Sequence, residues 1–224
     1  MKTLLFDIDG TLLITNETGT RALDAVLRNE FQVECPNMEV QFGGRTDRSL
    51  LQELMLLNDI PPSETNYVKF THAYKALLPE TLSECGGVIL PGVAELLTRL
   101  SKRNDLHTAV MTGNLKVTAT QKLSHFRLLD YFDDIFGGDF DADRRHLAKR
   151  TSLFLRGTYG DHLGDDTIVI GDTPADVLCG LEINASVMGV CTGQFDRQSL
   201  LDAGAHVVHQ DLSNVEAVYD WLTR

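Results

Sequence analysis

Two aspartates follow directly on the first apolar run of the chain. Leu4, Leu5 and Phe6 lead into Asp7 and Asp9, with one residue between the two carboxylates. Because alternate side chains of an extended segment project to the same side, a strand that ends here aims both carboxylates at one point. Two such groups can bind a hard cation, or one can attack an electrophile while the other moves a proton. We expect this pair to carry the chemistry.

Two later segments also place polar residues at the ends of apolar runs. One run ends at Thr112, Gly113 and Asn114, and another ends just before Asp172. Strands and helices alternate after about residue 88, which predicts an α/β fold with a mostly parallel sheet and helices on both faces. Ligands of such sheets bind beyond the carboxyl ends of the strands. We therefore expect three separate segments to converge on one site.

The region between residues 15 and 87 has a different pattern. Apolar residues recur at helical spacing in three stretches. They are Ala22, Leu23, Val26, Leu27 and Phe31, then Leu50, Leu51, Leu54 and Leu57, then Val68, Phe70, Tyr74, Leu77 and Leu78. This predicts a helical domain at 15–87, inserted into an α/β core domain made of residues 1–14 and 88–224.

Composition narrows the classes of partner. The 224 residues carry a formal net charge of −12, which disfavours nucleic acid and anionic membranes, since both attract clustered Lys and Arg. The four cysteines have no C-x-x-C spacing, so neither a zinc site nor a disulfide framework is expected. No signal-like or membrane-spanning apolar run is present in the sequence. We expect a cytoplasmic protein.

The motifs resemble those of the haloacid dehalogenase-like hydrolase superfamily. The resemblance rests on Asp7-Ile8-Asp9-Gly10-Thr11, on Thr112, and on Gly171-Asp172-Thr173 with Asp176. It is strongest for the phosphoglycolate phosphatase-like and β-phosphoglucomutase-like branch. This implies a Rossmann-like core, for which the helical insert is the C1 cap.

The resemblance also implies roles for individual residues. Asp7 is the expected nucleophile, which forms an aspartyl-phosphate, and Asp9 is the expected general acid and base. Mg²⁺ is expected on Asp7, the backbone carbonyl of Asp9, and Asp172, with Asp176 in support. The phosphate oxygens are expected to receive hydrogen bonds from Thr112, Gly113 and Asn114.

The third motif departs from the family pattern, because no Lys precedes Lys149 in the segment where one is usual. Arg144 is our candidate for its place, and Arg145 and Lys149 remain possible. Arg binds phosphate through two hydrogen bonds where Lys acts as a point charge. In the insert, the segment around Arg45 resembles the cap segment that covers the substrate, so Arg45 can contact an anionic group.

These residues predict a Mg²⁺-dependent phosphatase that hydrolyses a small phosphorylated metabolite. A phosphomutase of the β-phosphoglucomutase type has the same motifs and is not separated by them. A phospho-ligand-binding protein with impaired catalysis is the third possibility, because of the missing Lys. A dehalogenase is disfavoured, since family members that act on halides lack the second aspartate.

Overall fold

The computed structural model describes residues 1–160 and 166–224. Within them lies a six-stranded, fully parallel sheet in the order β5-β4-β1-β6-β7-β8. These strands are β1 (Lys2–Phe6), β4 (Leu106–Met111), β5 (Asp134–Phe136), β6 (Thr167–Gly171), β7 (Ser186–Val190) and β8 (Val207–His209). The predicted α/β fold class is confirmed.

The described residues form nine α-helices, of which those after residue 90 cover both faces of this sheet. The nine helices are α1 (Thr18–Phe31), α2 (Asp47–Leu57), α3 (Glu64–Cys85), α4 (Val93–Leu100), α5 (Lys116–His125), α6 (Arg144–Tyr159), α7 (Pro174–Glu182), α8 (Arg197–Asp202) and α9 (Val215–Thr223), with a 3₁₀ turn at Leu129–Tyr131. In β1, Leu4 and Phe6 join the core cluster that includes α4 and α9, whereas Leu5 joins the cluster with α6 and α7. The strand is therefore buried on both faces, as its unbroken apolar run indicates.

Helices α1 to α3 form a second apolar core of their own. It is built from Ala22, Leu23, Val26, Leu27, Leu50, Leu51, Leu54, Met55, Ile60, Tyr67, Phe70, Ala73, Tyr74, Leu78, Leu82 and Leu115. All but Leu115 lie between residues 15 and 87. Two residues assigned to the apolar faces in the sequence are exposed instead, namely Leu57 and Val68. Met55 and Tyr67 lie in the core.

A short antiparallel ribbon connects the two cores. Strand β2 (Leu13–Thr15) pairs with β3 (Gly87–Ile89), so the chain enters and leaves the helical segment side by side. Sequence patterning does not show this ribbon, because three residues are too few to establish alternation. Its position supports our proposal of a core domain of residues 1–14 and 88–224 with a cap domain at 15–87.

Among the described residues, no helix combines the length and the apolar character that crossing a bilayer requires.

Candidate active site

The site lies where three neighbouring strands end. Strands β4, β1 and β6 are adjacent in the sheet, and they are followed by Thr112, Asp7 and Asp172. All three side chains are at least 95% buried. They line a cavity of about 490 Å³ that extends to residues of α1 and α3 in the helical segment. The convergence of three segments on one site, which follows from polar residues at the ends of parallel strands, is therefore present in the structure.

Asp7 lies between a guanidinium and other carboxylates. Arg144 Nη2 donates to Asp7 Oδ1 at 3.1 Å and to Asp176 Oδ1 at 2.5 Å. Burial raises the pKa of Asp7 to about 7, the negative charge of Asp176 adds to this, and Arg144 partly offsets it. The ionised form of Asp7 is thus incompletely compensated by the side chains around it.

Arg144 occupies the place for which the sequence offered three basic residues. It begins α6, whose N-cap residue Asp143 accepts the Arg145 backbone N–H. Arg145 pairs with Asp143 at 2.9 Å and Lys149 with Glu182 at 2.6 Å, so both are engaged away from Asp7. Burial alone would lower the pKa of Arg144, but the adjacent carboxylates more than offset this, and the guanidinium stays charged. Its Nε is buried without a hydrogen-bond partner among the described residues.

Asp9 is held by a lysine that the sequence reasoning missed. Lys122 Nζ lies 2.8 and 2.7 Å from the two carboxylate oxygens of Asp9, and 2.8 Å from Asn114 Oδ1. Asn114 in turn donates to Asp9 Oδ2 at 2.7 Å and to Thr112 Oγ1 at 2.8 Å. The sequence does indicate such a contact, because Lys122 lies between Ala119 and Leu123 on the buried face of α5. A charge on an apolar face requires a partner.

Asp172 is packed tightly at the end of β6. A Cβ added to Gly10 or to Gly193 would overlap its carboxylate, so both positions require glycine. Burial raises the pKa of Asp172 to about 8, and the charges of Asp176 and Asp7 contribute further. Thr11 donates to Asp172 Oδ1 at 3.3 Å.

Asp176 has a structural role that its position in the helix explains. It is the third residue of α7, where it forms a capping box with the N-cap residue Thr173. Asp176 Oδ2 accepts hydrogen bonds from the backbone N–H of Thr173 at 3.0 Å and from the Thr173 hydroxyl at 2.7 Å, while Asp176 Oδ1 accepts one from Arg144. Both of its oxygens are therefore engaged by protein donors.

Asp7, Asp172 and Asp176 form one acidic cluster. A carboxylate oxygen from each lies within 4.8 Å of the other two. Oxygen donors alone are the set that Mg²⁺ and Ca²⁺ prefer. The raised pKa values of Asp7 and Asp172 also favour a cation here. Repulsion between neighbouring carboxylates contributes to both shifts, and a bound divalent cation would offset that repulsion. The cluster fits a hard cation.

The loop before α2 packs directly on the loop after β4. The backbone N–H of Asp47 donates to Gly113 O at 2.7 Å, and Asp47 Oδ2 accepts the Leu115 N–H at 2.8 Å. A Cβ on Gly113 would overlap the carbonyl oxygen of Arg45. The Arg45 side chain lines the cavity, but its guanidinium pairs with Glu53 and donates to Ser49 O at 3.1 Å. The expected anion-contacting residue is therefore already engaged.

A family model described as haloacid dehalogenase-like hydrolase matches residues 4–190. The chain belongs to this family. That assignment confirms the resemblance carried by the three motifs, and it identifies an enzyme whose family chemistry is hydrolysis.

Individual haloacid dehalogenase-like relatives cover almost the whole chain at low identity. A probable phosphatase, IndB, from Dickeya dadantii is 26% identical over 95% of this chain and 90% of its own length. A phosphoglycolate phosphatase from Rhodospirillum rubrum is 24% identical over 99% of this chain and 90% of its own length. The crystal structure of CbbY from Rhodobacter sphaeroides in complex with phosphate has a TM-score of 0.74 at 19% identity, over 96% of both chains. This last similarity shows the fold.

Proposed function

We propose that this protein is a Mg²⁺-dependent phosphatase that hydrolyses a small phosphate monoester through an aspartyl-phosphate. The observation that carries the proposal is the pairing of a buried Asp7, positioned against Arg144, with an Asp9 whose carboxylate opens onto the same cavity. The relatives named as phosphatases support the reaction class. The missing Lys of the third motif does not argue for lost catalysis, because Arg144 contacts the nucleophile.

In the first step, an Asp7 oxygen attacks phosphorus and the bond from phosphorus to the leaving alcohol oxygen breaks. Asp9 gives a proton to that oxygen. The Asp9 carboxylate that remains is stabilised by Lys122, which is hydrogen-bonded to both of its oxygens. Thr112, Gly113 and Arg144 line the cavity and offer donors to the phosphoryl oxygens.

In the second step, Asp9 takes a proton from a water molecule. The resulting hydroxide attacks phosphorus, the Asp7–phosphorus bond breaks, and inorganic phosphate leaves with Asp7 restored as a carboxylate. Asn114 fixes the position of Asp9 through both steps, since its amide binds Asp9 on one side and Thr112 on the other.

Asp7 and Asp172, with the backbone carbonyl of Asp9, would hold Mg²⁺. Bound there, the ion would neutralise charge between the nucleophile and the phosphoryl group. Asp176 supports these ligands indirectly, because it anchors the Arg144 side chain that contacts Asp7.

The test is release of inorganic phosphate from a panel of phosphate esters, with Mg²⁺ and with EDTA. We expect metal-dependent release by the wild-type protein and a loss of at least about 10³-fold in Asp7→Asn, because the nucleophile is removed. The exposed Asp220→Asn is the matched control and should keep full activity. Acid-quenched samples should contain phosphorylated protein in the wild type and none in Asp7→Asn.

Other outcomes would point to the alternatives. A sugar phosphate converted to its isomer with little free phosphate would indicate a phosphomutase. Unchanged release by Asp7→Asn would exclude the aspartyl-phosphate route.

A further inference from the structure

The cap side of the active-site cavity contains one basic residue among those that the structure describes. Three cationic side chains line the cavity, namely Arg45, Lys122 and Arg144. Lys122 and Arg144 are at the reacting end, where they pair with Asp9 and Asp7. Arg45 alone is in the helical segment, where the leaving group of a substrate held at Asp7 would lie.

Arg45 is neutralised by a residue outside the cavity. Glu53, two turns into α2, pairs with Arg45 Nη1, while Nη2 is held by the backbone carbonyl of Ser49. The two side chains are only partly exposed, 27% for Arg45 and 42% for Glu53. A second anionic group on a substrate would have to compete with Glu53 for this guanidinium.

The other residues that line the cap side of the cavity provide no second cation for an anionic group to bind. It includes two further carboxylates, Glu17 and Asp47. Most of the other large side chains there and on the facing loop are apolar or aromatic, namely Ile14, Leu23, Phe42, Leu50, Tyr74 and Phe195, and the polar one, Gln194, carries no charge. A carboxylate placed among them would lose hydration without gaining a cation.

We propose that Glu53 is a specificity-determining residue: by holding Arg45, it restricts the enzyme to phosphate monoesters whose leaving group is uncharged. This inference rests on the proposed function and refines it. It predicts that 2-phosphoglycolate, the substrate in the names of several relatives, is a poor substrate here. An uncharged polyol or similar alcohol is the favoured leaving group.

The test uses pairs of esters that differ only in a terminal –CH₂OH or –COO⁻ group. Glycerol 3-phosphate is compared with 3-phosphoglycerate, and glucitol 6-phosphate with 6-phosphogluconate. We expect kcat/KM to favour the uncharged member of each pair by at least about tenfold, the cost of leaving a buried charge unpaired. A preference for the carboxylate members, or for 2-phosphoglycolate, would overturn the inference.

The variant Glu53→Gln tests the residue itself. It removes the competing charge, so the preference for uncharged esters should fall by about fivefold or more, mainly through a lower KM for the carboxylate members. The control is Glu64→Gln, which removes the carboxylate of another cap ion pair, Arg48–Glu64, outside the cavity. The control should keep the wild-type ratio, and an unchanged ratio in Glu53→Gln would refute the role of Glu53.

Failure of this inference can be distinguished from failure of the proposed function. Hydrolysis of p-nitrophenyl phosphate that is lost in Asp7→Asn establishes the phosphatase whatever the selectivity. If no ester is hydrolysed, the proposed function fails. Calorimetric binding of the same pairs to the wild-type protein then decides whether the cavity prefers uncharged esters. Tighter binding of the carboxylate members would overturn the inference, and tighter binding of the uncharged members would support it.

Discussion

At the scale of single residues, the least expected feature is the ion pair between the buried Lys122 and the more exposed Asp9. Both oxygens of Asp9 face the ammonium group, and the lysine is 5% exposed. A buried lysine needs compensation, which Asp9 and Asn114 provide together. In the proposed mechanism, the pair fixes the orientation of a carboxylate that meets first a leaving group and then a water molecule.

We predict that Lys122→Met lowers kcat about 100-fold and changes KM less than about threefold, because the general acid and base loses its orienting partner. Methionine has a similar volume and no charge, so the packing of α5 is largely kept. Steady-state kinetics on p-nitrophenyl phosphate measure this. Lys149→Met, which removes an exposed lysine paired with Glu182, is the control and should retain wild-type values. An unaltered kcat in Lys122→Met would contradict the positioning role.

The sequence was sufficient to place the strand-end residues but not this lysine. Asp7, Thr112 and Asp172 come together because parallel strands end at one edge of a sheet, a consequence of topology that patterning can predict. Lys122 meets Asp9 across 113 positions of sequence through the packing of α5. Such a contact depends on how a helix rotates on the sheet, which spacing within the helix does not specify.

At the scale of elements, the contact between the loop before α2 and the loop after β4 joins the helical segment to the edge of the sheet where Asp7, Thr112 and Asp172 meet. It consists of the hydrogen bond from the Asp47 N–H to Gly113 O and that from the Leu115 N–H to the Asp47 carboxylate, together with a close approach at Gly113 that only glycine permits. Thr46 caps α2 by accepting the Ser49 N–H, so the same loop begins the helix and meets the core. Under the proposed function, this contact connects the cap segment that selects the substrate to the loop that binds phosphate.

Gly113→Ala should separate these two loops. Its Cβ would overlap the Arg45 carbonyl, so we expect a loss of about 1–3 kcal/mol in unfolding free energy and a raised KM. Gly157→Ala is the matched control, since a Cβ there meets no atom within 4 Å and the residue lies in α6. That variant should gain up to about 1 kcal/mol from helix propensity. Urea denaturation and kinetics measure both, and equal stability of the two variants would contradict the loop contact.

The sequence predicts the number of helices in the cap, but only partly which residues of each helix are buried. Their apolar spacing gave three helices, and the buried faces of α1 and α2 largely match it. Val68 and Leu57 were misassigned because, at helix edges, one position of rotation decides between core and solvent. The β2–β3 ribbon was not predicted because its pairing is between segments more than 70 residues apart.

At the scale of the whole molecule, crowded carboxylates link stability to pH and to metal. The pKa values of Asp7 and Asp172 are raised to about 7 and about 8 from an ordinary 3.8, chiefly by burial. Desolvation also raises the pKa of the partly buried Asp47 to about 6. A folded state with raised acid pKa values binds more protons than the unfolded chain between about pH 4 and pH 8. These groups therefore make the protein less stable as pH rises through that window.

We predict that the metal-free protein loses stability between pH 5 and pH 8, and that Asp172→Asn reduces this loss. Each group contributes a slope of at most about 1.4 kcal/mol per pH unit within its window. Mg²⁺ should stabilise the wild type more at pH 8 than at pH 5, because protons and the cation compete for the same oxygens. Denaturant midpoints in EDTA and in Mg²⁺ measure both effects. A metal-free protein with the same pH dependence as Asp172→Asn would contradict the assigned pKa shifts.

The ribbon of β2 and β3 makes the helical segment an exchangeable part. Its two ends are hydrogen-bonded neighbours, with Thr15 opposite Gly87, so any insert whose termini meet at strand spacing can be joined there. The sheet and its carboxylate edge have an apolar core separate from that of the insert. Grafting a cap from a relative at residues 15 and 87 should therefore transfer a choice of leaving group onto the existing reaction centre, provided that the loop contact with Gly113 is kept.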